Sequence, residues 1–198
     1  MKLFFHFALI GFANSYLVGP DDGGDALLID PGTMDAELLT LIEQNNYYIR
    51  HVLVTHAHSS HVKGITTLSK IYDARIYANA FNVESRNVTV LKDGDRITCN
   101  GIEVEVLEVP GHSSDSLVYH IKGMLFTGDV LAAGRVGNTE NSFSRALLLR
   151  SIREKIYPLP DRTLVFPGHG PPSLLKAEKM FNPDLQLLEK DPLLDKDG

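Results

Sequence analysis

Two rhythms of apolar residues alternate along the chain. Short continuous runs such as "DALLID" and "HVLVTH" have the pattern of strands covered on both faces. Between them lie segments whose apolar residues recur three and four positions apart, the spacing of a helix buried on one side. Residues 34–45 carry Met34, Leu38, Leu41 and Ile42 in that way, with Thr33 available as N-cap. Residues 62–72 repeat it with Ile65, Leu68 and Ile71, and residues 144–156 with Leu148, Leu149, Ile152 and Ile156.

"ARIYAN", "LVYHI", "GMLFTGDV" and "TLVFPGHG" read as further strands. "DRITCNGIEVEVLEV" predicts a hairpin, because Asn100-Gly101 can adopt the positive φ of a tight turn and Ile102, Val104 and Val106 alternate with glutamates. Ser173, after Pro171-Pro172, is placed to cap a last helix. The opening "MKLFFHFALIGFANS" is read as a buried strand rather than a signal peptide, since His6 interrupts the apolar run. The strands fall into two groups, each with its own helices. That order predicts an α/β fold in which helices cover the outside of two facing sheets, in one domain over residues 1–198 with a frayed, charged tail from about 186.

Composition narrows the function. A formal net charge of −6 argues against a nucleic-acid or anionic-membrane partner, which would need a basic face. Cys99 is the only cysteine, so no internal disulfide can form and a cytoplasmic setting is expected, with Cys99 itself a small core residue. No apolar stretch reaches the roughly 18 residues of a membrane span. A small-molecule substrate is the expected partner, and a homodimer stays open.

The candidate chemistry lies in the histidines. In "VTHAHSSHVKG", His56, His58 and His61 fall within six positions. Three later strands share one ending, an apolar run, a tight turn and then a polar group. These are "VLEVPGH" to His112, "MLFTGD" to Asp129 and "LVFPGH" to His169. Strand ends on one edge of a scaffold can converge on a single site. Imidazole and carboxylate are the ligands of Zn²⁺ and of non-haem iron. In an extended "HAH" both rings point to the same side, so His56, His58, His112 and Asp129 can surround one ion. His61 and His169 are left to help hold a second. His51 and His120 are read as solvated, Tyr119 as core, and Asp30 as holding a turn beside the site.

"THAHSSH", "PGH" at 110–112, "TGD" at 127–129 and "PGHG" at 167–170, in that order, resemble the motif series of the metallo-β-lactamase superfamily. "NSYLV", "ALLIDPG" and "FPGHGPPSLLKAEKMFNPDL" are most similar to its small glyoxalase II-type thioesterases. The resemblance implies a four-layer αββα sandwich with one or two metal ions at one edge. It places His56, His58 and His112 as ligands of the first ion, Asp129 as the bridging carboxylate, and His61 and His169 on the second ion. It also implies hydrolysis of a thioester or similar acyl compound by a metal-bound hydroxide.

Against that pattern, Ser60 stands where the family has an aspartate, and a neutral hydroxyl is a poor ligand for a divalent ion. The expectation is one firmly held Zn²⁺ with the second partial or absent, iron or manganese being the other candidate metals. Asp129 and Ser60 are the candidate catalytic residues, sharing the orientation of the attacking water. Asp115 is read as capping a turn rather than replacing the missing carboxylate. Arg135, in the loop after Asp129, is a candidate to pair with an acidic substrate group. Two readings compete with the thioesterase. One is a single-iron enzyme resembling persulfide dioxygenases, using His56, His112 and Asp129. The other is a catalytically weak binding protein on the same fold.

Overall fold

A computed structural model describes residues 1–9, 11–79 and 88–186. The first half of the chain forms β1 (Lys2–Phe7), β2 (Asn14–Gly19), β3 (Gly24–Ile29), α1 (Ala36–Gln44), β4 (Tyr47–Leu53), α2 (Ser59–Val62), α3 (Ile65–Ile71), β5 (Arg75–Ala78) and β6 (Val88–Val90). The second forms β7 (Arg96–Cys99), β8 (Ile102–Glu108), β9 (Leu117–Ile121), β10 (Met124–Gly128), β11 (Leu131–Ala132), β12 (Arg135–Val136), α4 (Ser142–Lys155), β13 (Leu164–Pro167), β14 (Ser173–Leu174), α5 (Leu175–Phe181) and α6 (Pro183–Gln186). Strands β1 to β6 make one six-stranded sheet in chain order. The other runs β14-β13-β10-β9-β8-β7, and β11 and β12 form a separate ribbon.

Alternation within the strands builds the layers. Tyr16, Val18, Leu27 and Ile29 face the second sheet and pack with Val106, Tyr119 and Phe126. Their neighbours Leu17, Ala26 and Leu28 point the other way, onto Leu38 and Ile42 of α1 and Ile65 and Leu68 of α3. The second sheet repeats the device, with Val118, Leu125 and Val165 under Leu148 and Ile152 of α4 and Leu175 of α5. The result is helix, sheet, sheet, helix, as the sequence predicts. Cys99 is fully buried in the inter-sheet core, and burial pushes its thiol up to about 12, which suits packing and not nucleophilic attack. Tyr119 is core as well, its hydroxyl donating to the carbonyl of Val54 (2.6 Å).

Several local expectations are corrected. The first strand forms but lies at a sheet edge, with Phe5 and Phe7 exposed and His6 its one buried side chain. The cap of α1 is Asp35 rather than Thr33, because the Asp35 carboxylate accepts from the backbone of Leu38 and also meets His6 (3.1 Å). The helix expected over 62–72 is two pieces, α2 and α3, parted at Lys63-Gly64 where the Gly64 N–H donates to the carbonyl of Pro31. Ser173 sits in β14 and does not cap α5. The expected fray beyond 186 lies outside the described residues. No described helix is long and apolar enough to cross a membrane.

Strands β3 and β4 run parallel, and β8, β10 and β13 share one direction. Their C-terminal ends deliver Asp30, His56, His112, Asp129 and His169 to one edge of the sandwich.

Candidate metal centre

The "HAH" segment leaves β4 extended, and α2 begins immediately after His58. That turn into a helix swings His61 back toward His56, their ring centres 4.3 Å apart. The approach is close enough that Gly32 has no room for a side chain, since a Cβ there would fall 1.8 Å from the carbonyl oxygen of Ser60.

Two sets of atoms converge. In the first, His58 Nδ1 lies 2.9 Å from His56 Nε2 and 3.1 Å from His112 Nε2. Asp129 Oδ2 closes the group at 3.9 Å from His56 and 3.6 Å from His112. In the second, His61 Nε2 is 3.4 Å from Asp129 Oδ1 and His169 Nε2 is 3.6 Å from Asp129 Oδ2. Asp129 belongs to both sets, and no further imidazole or carboxylate joins either among the described residues. All six sequence-predicted ligands are thus brought together. Asp115 lies outside both sets, its carboxylate accepting from the backbone of Ala57 and tying the two histidine loops together (2.9 Å).

The outward nitrogens test whether this cluster fits a cation. His112 Nδ1–H donates to the carbonyl of Asn138 (2.8 Å) and His169 Nδ1–H to that of Phe12 (2.7 Å). His61 Nδ1–H donates to Asp30 (3.0 Å). His56 Nδ1 meets Thr55 Oγ1 (3.1 Å), which itself donates to Asp30 (2.7 Å). With each of these protons drawn outward, the inner nitrogens of His56, His112 and His169 turn toward a common space, the arrangement metal-binding histidines use. Within that space the buried His61 Nε2 and Asp129 Oδ1 have no hydrogen-bond partner. Buried polar atoms seldom go unpaired, and a cation satisfies both. The donor set fits a divalent metal.

Burial and the neighbouring His61 push His56 down to about 3, and burial with His112 lowers His58, so both rings are neutral near pH 7. His61 goes the other way. Burial alone would lower it, but the Asp30 and Asp129 carboxylates hold it up to about 10. Burial alone would raise Asp129, but His61, His56 and His169 keep it well below the usual carboxylate range, so it stays ionised. An ion in the second set must displace the His61 proton. Uptake of the second equivalent at pH 7–8 is therefore expected to release about one proton, and its affinity is expected to rise as pH climbs toward 10. Calorimetry in two buffers of different ionisation enthalpy measures this; a second equivalent taken up without proton release contradicts it.

Beside the two sets lies a small cavity of about 50 Å³ lined by His112, Asp129, His169, Arg135 and Asn138, among others. Arg135 is exposed on β12. Its backbone neighbours are held from below: Gly134 N–H donates to Glu178 (3.0 Å) and Val136 N–H to Asp184 (2.9 Å). Ser60 is half-buried in α2, next to His61. His51 and His120 are absent from both sets, bonded to Asn100 and Glu105.

Sequence reasoning missed the supporting groups. Asp30 makes the expected turn, with a φ of +50°, but its carboxylate also orients His61 and Thr55. Asn14, Thr55, Glu178 and Asp184 carried no metal-like pattern to find them by.

The profile of the metallo-beta-lactamase superfamily matches residues 9–85 and 81–169. Uncharacterized protein Rv2581c of Mycobacterium tuberculosis is 31% identical over 211 residues, covering 89% of this chain and 94% of its own length. Hydroxyacylglutathione hydrolase GloC of Haemophilus influenzae is 30% identical over 191 residues, 83% of this chain and 89% of GloC. The crystal structure of TTHA1623 in a di-iron-bound form superposes with a TM-score of 0.78 at 28% identity, covering 91% of this chain and 98% of that one.

Proposed function

The chain belongs to the metallo-β-lactamase superfamily, and from that premise we propose that it is a metal-dependent hydrolase of thioesters or related acyl compounds, of glyoxalase II type. The observation that carries the reading is the convergence of His56, His58, His112 and Asp129 on one space, with the outward nitrogens of His56 and His112 tethered to Thr55 and Asn138. The likeness to GloC supports an acylated thiol as substrate.

In this reading His56, His58, His112 and Asp129 hold one Zn²⁺ firmly. His61, His169 and Asp129 hold a second ion weakly, because Ser60 brings no charge to it. A divalent ion there supplies Lewis acidity and brings the pKa of water from 15.7 to about 7. The protein residues do the rest. Asp129, ionised throughout the working range, accepts a hydrogen bond from the attacking water and keeps its lone pair aimed at the carbonyl carbon. Ser60, next to His61 in α2, would offer the water a neutral hydroxyl donor. Arg135 and Asn138, on the cavity wall, receive the acyl group, Arg135 pairing with its carboxylate where it has one. The C–S bond breaks, the water oxygen ends in the acid, and its proton leaves with the thiol.

The test is elemental analysis of protein purified without added metal, followed by a panel of acylated thiols, lactones and persulfides. Thioester hydrolysis that vanishes with a chelator and returns with Zn²⁺ is expected. Hydrolysis indifferent to metal removal contradicts the proposal. Oxygen consumption with a persulfide and no thioester cleavage would replace it by the single-iron reading.

A further inference from the structure

The three ligands of the second set are not equally secured. His61 is fully buried and bonded to Asp30, and Asp129 sits at the end of β10. His169 is a loop residue whose side chain is 26% exposed, and the bond that fixes its ring runs to a backbone carbonyl, that of Phe12. Phe12 belongs to the connection between β1 and β2, at the opposite end of the sequence. The position of His169 therefore depends on how that connection is registered against the loop following β13.

One side chain sets the register. Asn14 is 1% exposed. Its backbone N–H donates to the carbonyl of Gly168 (2.8 Å). Its Nδ2 donates to the carbonyls of Pro167 (2.9 Å) and Gly170 (2.8 Å), which bracket the Gly168-His169 pair. Tyr16 lies behind it, its hydroxyl donating to the same Pro167 carbonyl (2.6 Å). Two carbonyls facing one point, that of Pro167 buried and that of Gly170 nearer the surface, call for two N–H donors on one atom, and asparagine is the shortest side chain that carries them. Serine supplies a single donor. Aspartate would aim a carboxylate at two carbonyl oxygens. Asn14 Oδ1 meanwhile has no partner, so the amide is held through its donor side alone.

We propose that Asn14, backed by Tyr16, is the positioning residue that holds His169 on the second set and so sets how tightly that set binds an ion. The assignment rests on the metal reading of the site and extends it to a residue that touches neither metal nor substrate. A merely structural Asn14 would weaken the whole fold without distinguishing the two sets, whereas a clamp on the His169 loop acts on the second.

The experiment is a competitive Zn²⁺ titration of metal-free protein against a chromophoric chelator, with unfolding followed in parallel. Asn14→Ser is expected to weaken the second equivalent roughly 10–100-fold while the first stays within about threefold, the range set by losing an orienting partner. Asn14→Asp is expected to be worse. Tyr16→Phe keeps the ring packed on Phe126 and Phe166, so it folds whether or not the Asn14 variants do, and is expected to weaken the second equivalent in the same selective way. Parallel weakening of both equivalents, an unchanged second equivalent, or a wild-type protein with no measurable second equivalent overturns the assignment. Wild-type protein that takes up no ion at all overturns the metal reading itself.

Discussion

Asp129→Asn is expected to lower thioester hydrolysis by well over the ~100-fold that follows loss of an outer partner, since in the proposed site Asp129 is itself a ligand. It is the one residue common to both sets, with Oδ1 turned toward His61 and Oδ2 toward His56, His112 and His169. An amide of the same shape removes the charge that a divalent ion needs and the acceptor that orients water. The first set keeps three imidazoles, which suffice to hold Zn²⁺ with reduced affinity. The second is left with two imidazoles and is expected to empty. Turnover falls further than metal content, and that separation is the diagnostic result. Paired measurements of kcat/KM and bound metal check it, and a variant within tenfold of wild type would remove Asp129 from the mechanism.

Gly168→Ala is the second large effect. The backbone at Gly168 is not left-handed, so alanine meets no conformational penalty there. Space is the obstacle. The added methyl would lie 2.5 Å from His61 Cε1, 2.7 Å from Asp129 Oδ1 and 3.1 Å from the Gly128 carbonyl carbon. His61 cannot retreat, because it is fully buried and tied to Asp30. The methyl therefore pushes into the space between His61, Asp129 and His169. Loss of the second ion on the order of 100-fold or more in affinity is expected, with the first ion retained through Asp129 Oδ2 on the far side. Metal stoichiometry after dialysis reads this directly; two full equivalents in the variant would show that the second set does not use this space.

Much of this architecture is legible in the sequence, for a physical reason. Strands β8, β10 and β13 share one direction within a mixed sheet and so end at one edge, and "PGH", "TGD" and "PGH" after apolar runs locate the site before any contact is known. The hairpin at Asn100-Gly101 is equally readable, because its positive φ values of 52° and 76° demand those residue types. What holds the ligands is less so. Two of the four tethers are the backbone carbonyls of Phe12 and Asn138, and a carbonyl leaves no trace in the side-chain alphabet. Thr33 and Asp35 are both capping residues, and it takes the start of α1 at Ala36, with the Leu38 N–H and His6 both reaching Asp35, to select the second. An apolar run such as "LFFHF" has the same composition whether it lies in a sheet or along its edge, so the exposure of Phe5 and Phe7 could not be read from it. Glu178 and Asp184 look like surface charges of an amphipathic helix, yet they fix the ribbon that carries Arg135.

His56, His58, His112 and Asp129 are expected to surround one cation. Anomalous diffraction from crystals of the protein as purified, collected on either side of the metal absorption edge, tests it most directly. A peak is expected about 2.0–2.1 Å from His56 Nε2, His58 Nδ1 and His112 Nε2 and about 2.0–2.2 Å from Asp129 Oδ2, with a weaker peak or none between His61 and His169. A peak elsewhere in the molecule, with these four side chains bonded to one another around no ion, would contradict it.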